Sequence, residues 1–164
     1  MDLLNEVARL LLGAVGELRH IIGVTLKMSF TSTMIACCIG IPLGVVIGMN
    51  SFKGKRLLMR IIHTLMGLPP VVAGLLVFFL LSRSGPFGQY KLLYSVFAMV
   101  VAQVMLITPI AMGLSASIAG ARAPMVRETA MGIGMSRARQ TACMLFECRK
   151  QLFSVVFTGF GRAI

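Results

Sequence analysis

The sequence predicts an all-α integral membrane protein, and three observations carry that expectation. Its residues are 57% hydrophobic and only 13% charged, with a mean hydropathy of +0.90, whereas soluble domains hold about 45–50% apolar and about 25% charged residues. The apolar residues gather into uncharged runs, 25 residues from Met28 to Phe52 and 30 from Leu92 to Ala121, and about 20 suffice to cross a bilayer as a helix. The charges are bunched between those runs and are mostly basic, 16 Lys and Arg against 5 Asp and Glu. A soluble nucleic-acid binder would carry basic stripes instead, so the bilayer is the expected partner and nucleic acid is not.

Residues 1–27 place Leu3, Leu4, Val7, Leu10, Leu11, Ala14, Leu18, Ile21 and Ile22 at helical spacing, with Asp2, Glu6, Arg9, Glu17 and Arg19 opposite them. This reads as an amphipathic interfacial helix, and its acidic start argues against a cleavable signal peptide. Residues 28–52 read as the first transmembrane helix. Gly40, Pro42, Gly44 and Gly48 cluster in its second half, where small residues permit close helix packing or a bend.

Lys53, Lys55, Arg56 and Arg60 follow together. Arg60 at mid-bilayer would cost about 2.5–3.5 kcal/mol, so the second span, residues 61–82, keeps it near the headgroups. Pro69 and Pro70 remove two backbone donors from that span. A kink or local unwinding is expected there, and a broken membrane helix survives only against protein or a water-filled cavity. Both a pathway-lining position and a purely structural kink fit. A short turn from Arg83 to Lys91 carries Gly85-Pro86 and Gly88 as breakers.

The third span, residues 92–119, belongs to a run longer than the bilayer needs, so it must tilt, break near Pro109 or continue past the hydrocarbon. Gln103 and Thr108 are its mid-span polar residues. Residues 120–150 are basic: Pro124 is placed to open a helix that Gly132 and Gly134 end, and Ser136 to cap a second helix running to Lys150. Residues 151–164 read as the start of a fourth span, because the 11 apolar residues from Gln151 to Gly161 reach only about 16 Å at about 1.5 Å per residue. The basic loop after the first span and the basic segment after the third place both in the cytoplasm and the amino terminus outside.

No catalytic residues and no metal ligands stand out. There is no G-x-x-x-x-G-K-[ST] phosphate loop, and Cys37, Cys38, Cys143 and Cys148 lack metal or disulfide spacing. The spans also lack the buried acids of many ion-coupled transporters. On spacing alone, the basic segment reads equally as an amphipathic hairpin held to anionic lipid or as a docking element.

Glu128-Thr129-Ala130, followed after three residues by Gly134, resembles the E-A-A-x-x-x-G loop of the permease subunits of bacterial ABC importers. Thr129 stands where that family has its first Ala, and the downstream I-x-L-P part reads Met144-Leu145-Phe146-Glu147. The likeness extends from about Val24 through Gly40-Ile41-Pro42-Leu43-Gly44, Gly67-Leu68-Pro69-Pro70-Val71-Val72-Ala73-Gly74, Ser84-Gly85-Pro86-Phe87-Gly88, and Ala102-Gln103 to Thr108-Pro109-Ile110. These stretches look like the permeases of the molybdate and tungstate branch, and most like the tungstate type.

The resemblance implies a type I ABC importer permease fold in the inner membrane, a multi-pass subunit with three complete spans and a partial fourth. Family members continue for further spans, so the sequence reads as carboxy-terminally truncated. Implied partners are a second copy of the permease, a dimer of ATPase subunits that binds ATP-Mg in place of any cofactor here, and an extracytoplasmic oxyanion-binding protein. Glu128, Thr129, Ala130 and Gly134 would couple to the ATPase. Pro69, Pro70, Gln103, Thr108 and Pro109 are the candidate lining of a translocation path for tungstate first and molybdate second. Other readings are an ABC permease for sulfate, phosphate or an amino acid, and a small membrane channel or scaffold.

Overall fold

The computed structural model describes residues 2–82, 85 and 95–163, with the backbone alone described for residues 2–17, 131, 137 and 138. The expected turn from Arg83 to Lys91, the start of the third span at residues 92–94 and the amphipathic side chains before Leu18 lie outside the described residues or side chains. Every element described is a helix: α1 Asp2–Met49, α2 Lys55–Met66, α3 Pro70–Leu81, α4 Val96–Gly132, α5 Arg137–Glu147 and α6 Arg149–Ala163. Leu18–Met49 and Val96–Ala130 are each long and apolar enough to cross a membrane, and the bent pair α2 and α3 makes a third crossing if taken as one span.

The boundary expected between residues 27 and 28 is absent, because α1 runs unbroken for 48 residues. The polarity of its side chains changes there, but nothing interrupts its backbone ladder. Thr25 and Thr31 donate their hydroxyls to the carbonyls of Ile21 and Lys27, at 2.9 and 2.7 Å. The helix stops at Met49 rather than Phe52, and Lys55 closes its end by donating from Nζ to the Gly48 and Asn50 carbonyls at 2.7 and 2.9 Å. A cation at a helix C-terminus satisfies orphan carbonyls and complements the dipole.

The seam between α1 and α4 is built on the glycines of α1. A Cβ on Gly40 would lie 2.8 Å from Ala111 Cβ, and one on Gly48 would lie 2.5 Å from the Ala116 carbonyl oxygen. The facing positions on α4 are small as well: Ala111, Ser115, Ala116 and Ala119 are at most 2% exposed. Backbones approach this closely in a membrane only when both faces lack bulk, since van der Waals contact has to replace the hydrophobic drive available in water. The close packing expected of Gly40, Gly44 and Gly48 is therefore what they provide.

The second expected span, residues 61–82, is not one helix. α2 and α3 meet at 97° across Gly67 to Pro69, with Pro69 extended (φ −64°, ψ 140°) as the N-cap of α3. Pro70 disfavours the helical region for the residue before it, and Pro69 itself offers no amide donor, so the chain turns there. Pro109 and Pro124 behave differently, because α4 passes through both.

Pro124 thus does not open a new helix. Ala119, Ala123 and Val126 flank it on one face and pack on Val45, Met144, Cys148 and Leu152, so burial on both sides of the proline keeps the helix in register. Among the three options for the long third run, the chain continues as one helix well beyond the length a bilayer requires. The helix expected from Ser136 to Lys150 is also divided: Cys148 separates α5 from α6, although Cys148 N still donates to the Met144 carbonyl at 2.9 Å. α6 therefore starts at Arg149 and not at Gln151.

Candidate functional site

The corner between α4 and α5 gathers the four residues singled out in the basic segment. α4 ends on Gly132, and Gly134 takes a left-handed conformation at φ +62°. Met135 N then donates to the Ala130 carbonyl at 3.0 Å, the long-range bond of a Schellman close, whose C′ position favours glycine. Nothing lies within 4 Å of a Cβ built on Gly134. Its requirement is therefore backbone conformation and not space. Ser136 is the N-cap of α5, but its side chain makes no capping bond; Gln140 reaches back instead, donating to the Met135 carbonyl at 3.0 Å.

Ala130 is buried at 3% exposure, while Glu128, Thr129 and Gly134 are exposed. The Thr129 hydroxyl donates to the Met125 carbonyl at 3.1 Å, so threonine fits this helical position without recruiting another partner. A cleft of about 330 Å³ opens beside Val126, Thr129, Ala130, Ile133 and Cys143. At its edge, Arg122 Nη1 lies 3.8 Å from Glu147 Oε1. Met125, Ile133 and Phe146 present apolar side chains around the corner at 76, 65 and 68% exposure, and the Arg149 guanidinium stacks 4.6 Å from the Phe146 ring centroid. Sequence reasoning named Phe146 only as part of the downstream motif and missed Met125 and Ile133; their signal was bulk where the surrounding segment is basic.

Beneath the corner, Met144 and Cys148 are sealed, with Cys148 Sγ 3.5 Å from Met144 Sδ. Burial pushes the Cys148 thiol above its ordinary pKa, Arg122 opposes that shift, and Glu147 adds to it. A buried thiol protected from ionisation is a packing element and a poor nucleophile.

The candidate path residues divide. Thr108 and Pro109 line an apolar cavity of about 380 Å³ with Ile62, Leu65, Leu68, Ala73 and Met105, at the bend between α2 and α3. Pro69 and Pro70 make that bend and are exposed. The Thr108 hydroxyl is turned to its own helix, donating to the Val104 carbonyl at 2.6 Å. Gln103 belongs to a different cluster: it accepts from Ser32 Oγ at 2.8 Å and donates from Nε2 to the Ala163 carbonyl at 2.9 Å. Ser29 donates to the same carbonyl at 3.1 Å. These bonds tie α1, α4 and α6 together where the polar groups are cut off from water, which explains the burial of Ser29 and Ser32.

Glycine-paired long helices, a proline-broken helix pair and an exposed helix–turn–helix corner define a helical membrane protein. The chain belongs to the family of binding-protein-dependent transport system inner membrane components, whose sequence profile matches residues 40–164. It is 36% identical to the tungstate uptake system permease protein TupB of Peptoclostridium acidaminophilum over 144 residues, 88% of this chain and 63% of that relative. A probable anion ABC transporter permease protein of Haloferax volcanii is 31% identical over 144 residues, 88% of this chain and 62% of the relative. A TupB permease of Campylobacter jejuni is 31% identical over 113 residues, 69% of this chain and 47% of the relative. The chain thus spans 63% and 62% of the length of the first two relatives.

Proposed function

We propose that this chain is the permease subunit of an ATP-driven importer that moves an oxyanion, tungstate first and molybdate second, across the inner membrane by alternating access. The observation that carries the reading is the glycine-closed corner at Ala130 to Met135, which projects exposed Glu128 and Thr129 on a helix packed along α1. The chain's likeness to relatives named as a tungstate uptake system permease and a probable anion ABC transporter permease supports the substrate class. In this reading the fold is that of a type I importer, with the amino terminus outside and three crossings that place the corner in the cytoplasm. Two permeases pair above an ATPase dimer that binds ATP-Mg, and an external binding protein delivers the oxyanion.

Mechanically, the ATPase grips the corner through Glu128, Thr129 and the apolar rim of Met125 and Ile133. Closure of the ATPase dimer moves α4 as a rigid element, and α1 follows because their backbones are in contact. The break at Pro69 and Pro70 lets α2 and α3 change their mutual angle, which alters the cavity at Thr108 and Pro109. That cavity's lining is apolar and carries no cation, so selectivity rests with the binding protein and this chain supplies passage.

The test is uptake and ATPase stimulation in proteoliposomes holding permease, ATPase and binding protein. Gly134→Leu should insert and fold yet lose coupling, whereas Gly134→Asn should keep most of it, because asparagine tolerates left-handed backbone. Wild-type uptake by Gly134→Leu would remove the docking assignment. Calorimetry of the binding protein with tungstate and molybdate checks the substrate separately; binding of sulfate or phosphate alone would shift the reading to another solute.

A further inference from the structure

α6 has three faces. Leu152, Val155, Gly159 and Ala163 are buried, Leu152 beside Val45 and Ala119 and Ala163 beside Ala36 and Ile107, so α6 runs back antiparallel to α1 and α4. Phe153 and Phe157, 66 and 71% exposed, make an apolar face suited to lipid. On the remaining face Gln151, Ser154, Thr158, Gly161 and Arg162 recur at helical spacing, all of them exposed. At about 100° per residue, this polar row is centred about a third of a turn from the buried row and from the phenylalanines alike.

The level of Arg162 follows from its neighbour. The Ala163 carbonyl accepts from Ser29 Oγ and Gln103 Nε2 at 3.1 and 2.9 Å, and α4 is uncharged from Val96 to Ala121. At about 1.5 Å per residue, Gln103 lies about 10 Å from Val96 and about 27 Å from Ala121, so Arg162 stands within the span, in its outer half for the orientation proposed above. Helical side chains lean toward the N-terminus of their own helix, and for α6 that direction leads further into the span. No carboxylate lies on α6, on α1 beyond Glu17 or on α4 before Glu128, and among the described residues Arg162 forms no hydrogen bond or ion pair. Thr158 satisfies its hydroxyl on the Ser154 carbonyl at 2.8 Å and tolerates hydrocarbon. An exposed guanidinium does not, and ionisable groups inside a membrane face a bundle interior or a water-filled cavity.

We propose that the polar row of α6 lines an aqueous path for the oxyanion and that Arg162 is the residue in it that contacts the anion. The identity of that anion rests on the importer reading; the water-facing row does not. An oxyanion entering the span gives up hydration, and a guanidinium returns a forked pair of charge-assisted hydrogen bonds. Thr158, Ser154 and Gln151 continue the polar surface toward the Arg149 end of the helix. The apolar cavity at Thr108 and Pro109 has no such cation in its lining. One guanidinium presents the same fork to any tetrahedral oxyanion, so Arg162 lowers the barrier to passage and leaves discrimination to the binding protein.

The experiment uses the permease in complex with its ATPase in proteoliposomes, with single substitutions Ser154→Cys, Thr158→Cys, Phe153→Cys and Phe157→Cys. Each is treated with water-soluble methanethiosulfonates, one carrying a sulfonate and one a quaternary ammonium, and mass spectrometry of the α6 peptide separates the new thiol from the native cysteines. Thiols at 154 and 158 should react and those at 153 and 157 should not. At 158 the sulfonate reagent should be preferred, and Arg162→Gln should lower that preference at least about tenfold, the scale of anion focusing by a charged cleft, while Arg162→Lys keeps most of it. Tungstate should slow labelling at 158, and not in Arg162→Gln. A monodisperse detergent peak checks that each variant folds. Unreactive thiols at 154 and 158 would mean that lipid or further protein covers the row and overturn the proposal, as would a charge preference indifferent to Arg162→Gln. A charge preference that depends on Arg162 without protection by tungstate or molybdate would support the path and overturn the solute named for it.

Discussion

Glycine is used in opposite ways in two regions of this molecule. In the seam between α1 and α4, Gly40 and Gly48 have ordinary helical backbones and are needed because the opposing helix occupies the place of a side chain. At the corner between α4 and α5, Gly134 has open space around it and is needed because its φ is +62°. The first kind of glycine sets a distance and the second sets a direction. In the proposed function both are needed, since a rigid pair of helices transmits movement only if its end is aimed at the partner that moves it.

The largest effect that would break this comparison is expected in the seam. Gly48→Leu forces a side chain against the Ala116 backbone, with overpacking that costs about 3 kcal/mol or more where backbones cannot separate, and the chain should lose its monodisperse peak in detergent after mild heating. Gly74→Leu, at a helical glycine of α3 with nothing within 4 Å, should leave that peak unchanged. If the two variants behave alike, the seam is not closely packed.

Next in size is Gly134→Ala, expected to destabilise the corner by about 1–2 kcal/mol through left-handed strain alone. The loss should appear as faster hydrogen exchange of the Met135 amide, with the α1–α4 seam unaffected. A smaller chemical contrast follows from burial. Cys143 is exposed and Cys148 is 1% exposed with a raised pKa, so N-ethylmaleimide at neutral pH should label the first and spare the second; mass spectrometry decides, and equal labelling would mean that α5 does not pack on α4 as described. The smallest effect is expected from Arg122→Gln. The pair with Glu147 is 3.8 Å apart with side chains 41 and 62% exposed, and such surface pairs contribute about 0–1 kcal/mol. A thermal-shift change beyond that range would mean that Arg122 has a further partner.

Much of the site was legible locally. A motif with glycine after three spacer residues pointed to a helix end at residues 132–134, and the Schellman bond from Met135 to Ala130 is the physical form of that signal. Paired prolines located the bend in the second apolar stretch, because a missing donor and a restricted preceding residue act within a few residues. Pro124 was misleading for the same reason inverted: its local preference for a helix start is overridden by Ala119, Ala123 and Val126 packing as one stripe. Gln103 was equally ambiguous, since a mid-span amide serves a path or a neighbour equally well until Ser32 and Ala163 are seen beside it.

The sequence by itself determined that the protein is helical, that it lives in a membrane, and where a positive-φ glycine closes its exposed corner. Those properties depend on composition and on interactions within one or two helical turns. Only the tertiary structure decided that α4 carries the motif on a continuous shaft and that α2 turns 97° from α3. These depend on which distant faces pack together, and the burial of one helix's stripe against another can outweigh the local preference of a single proline.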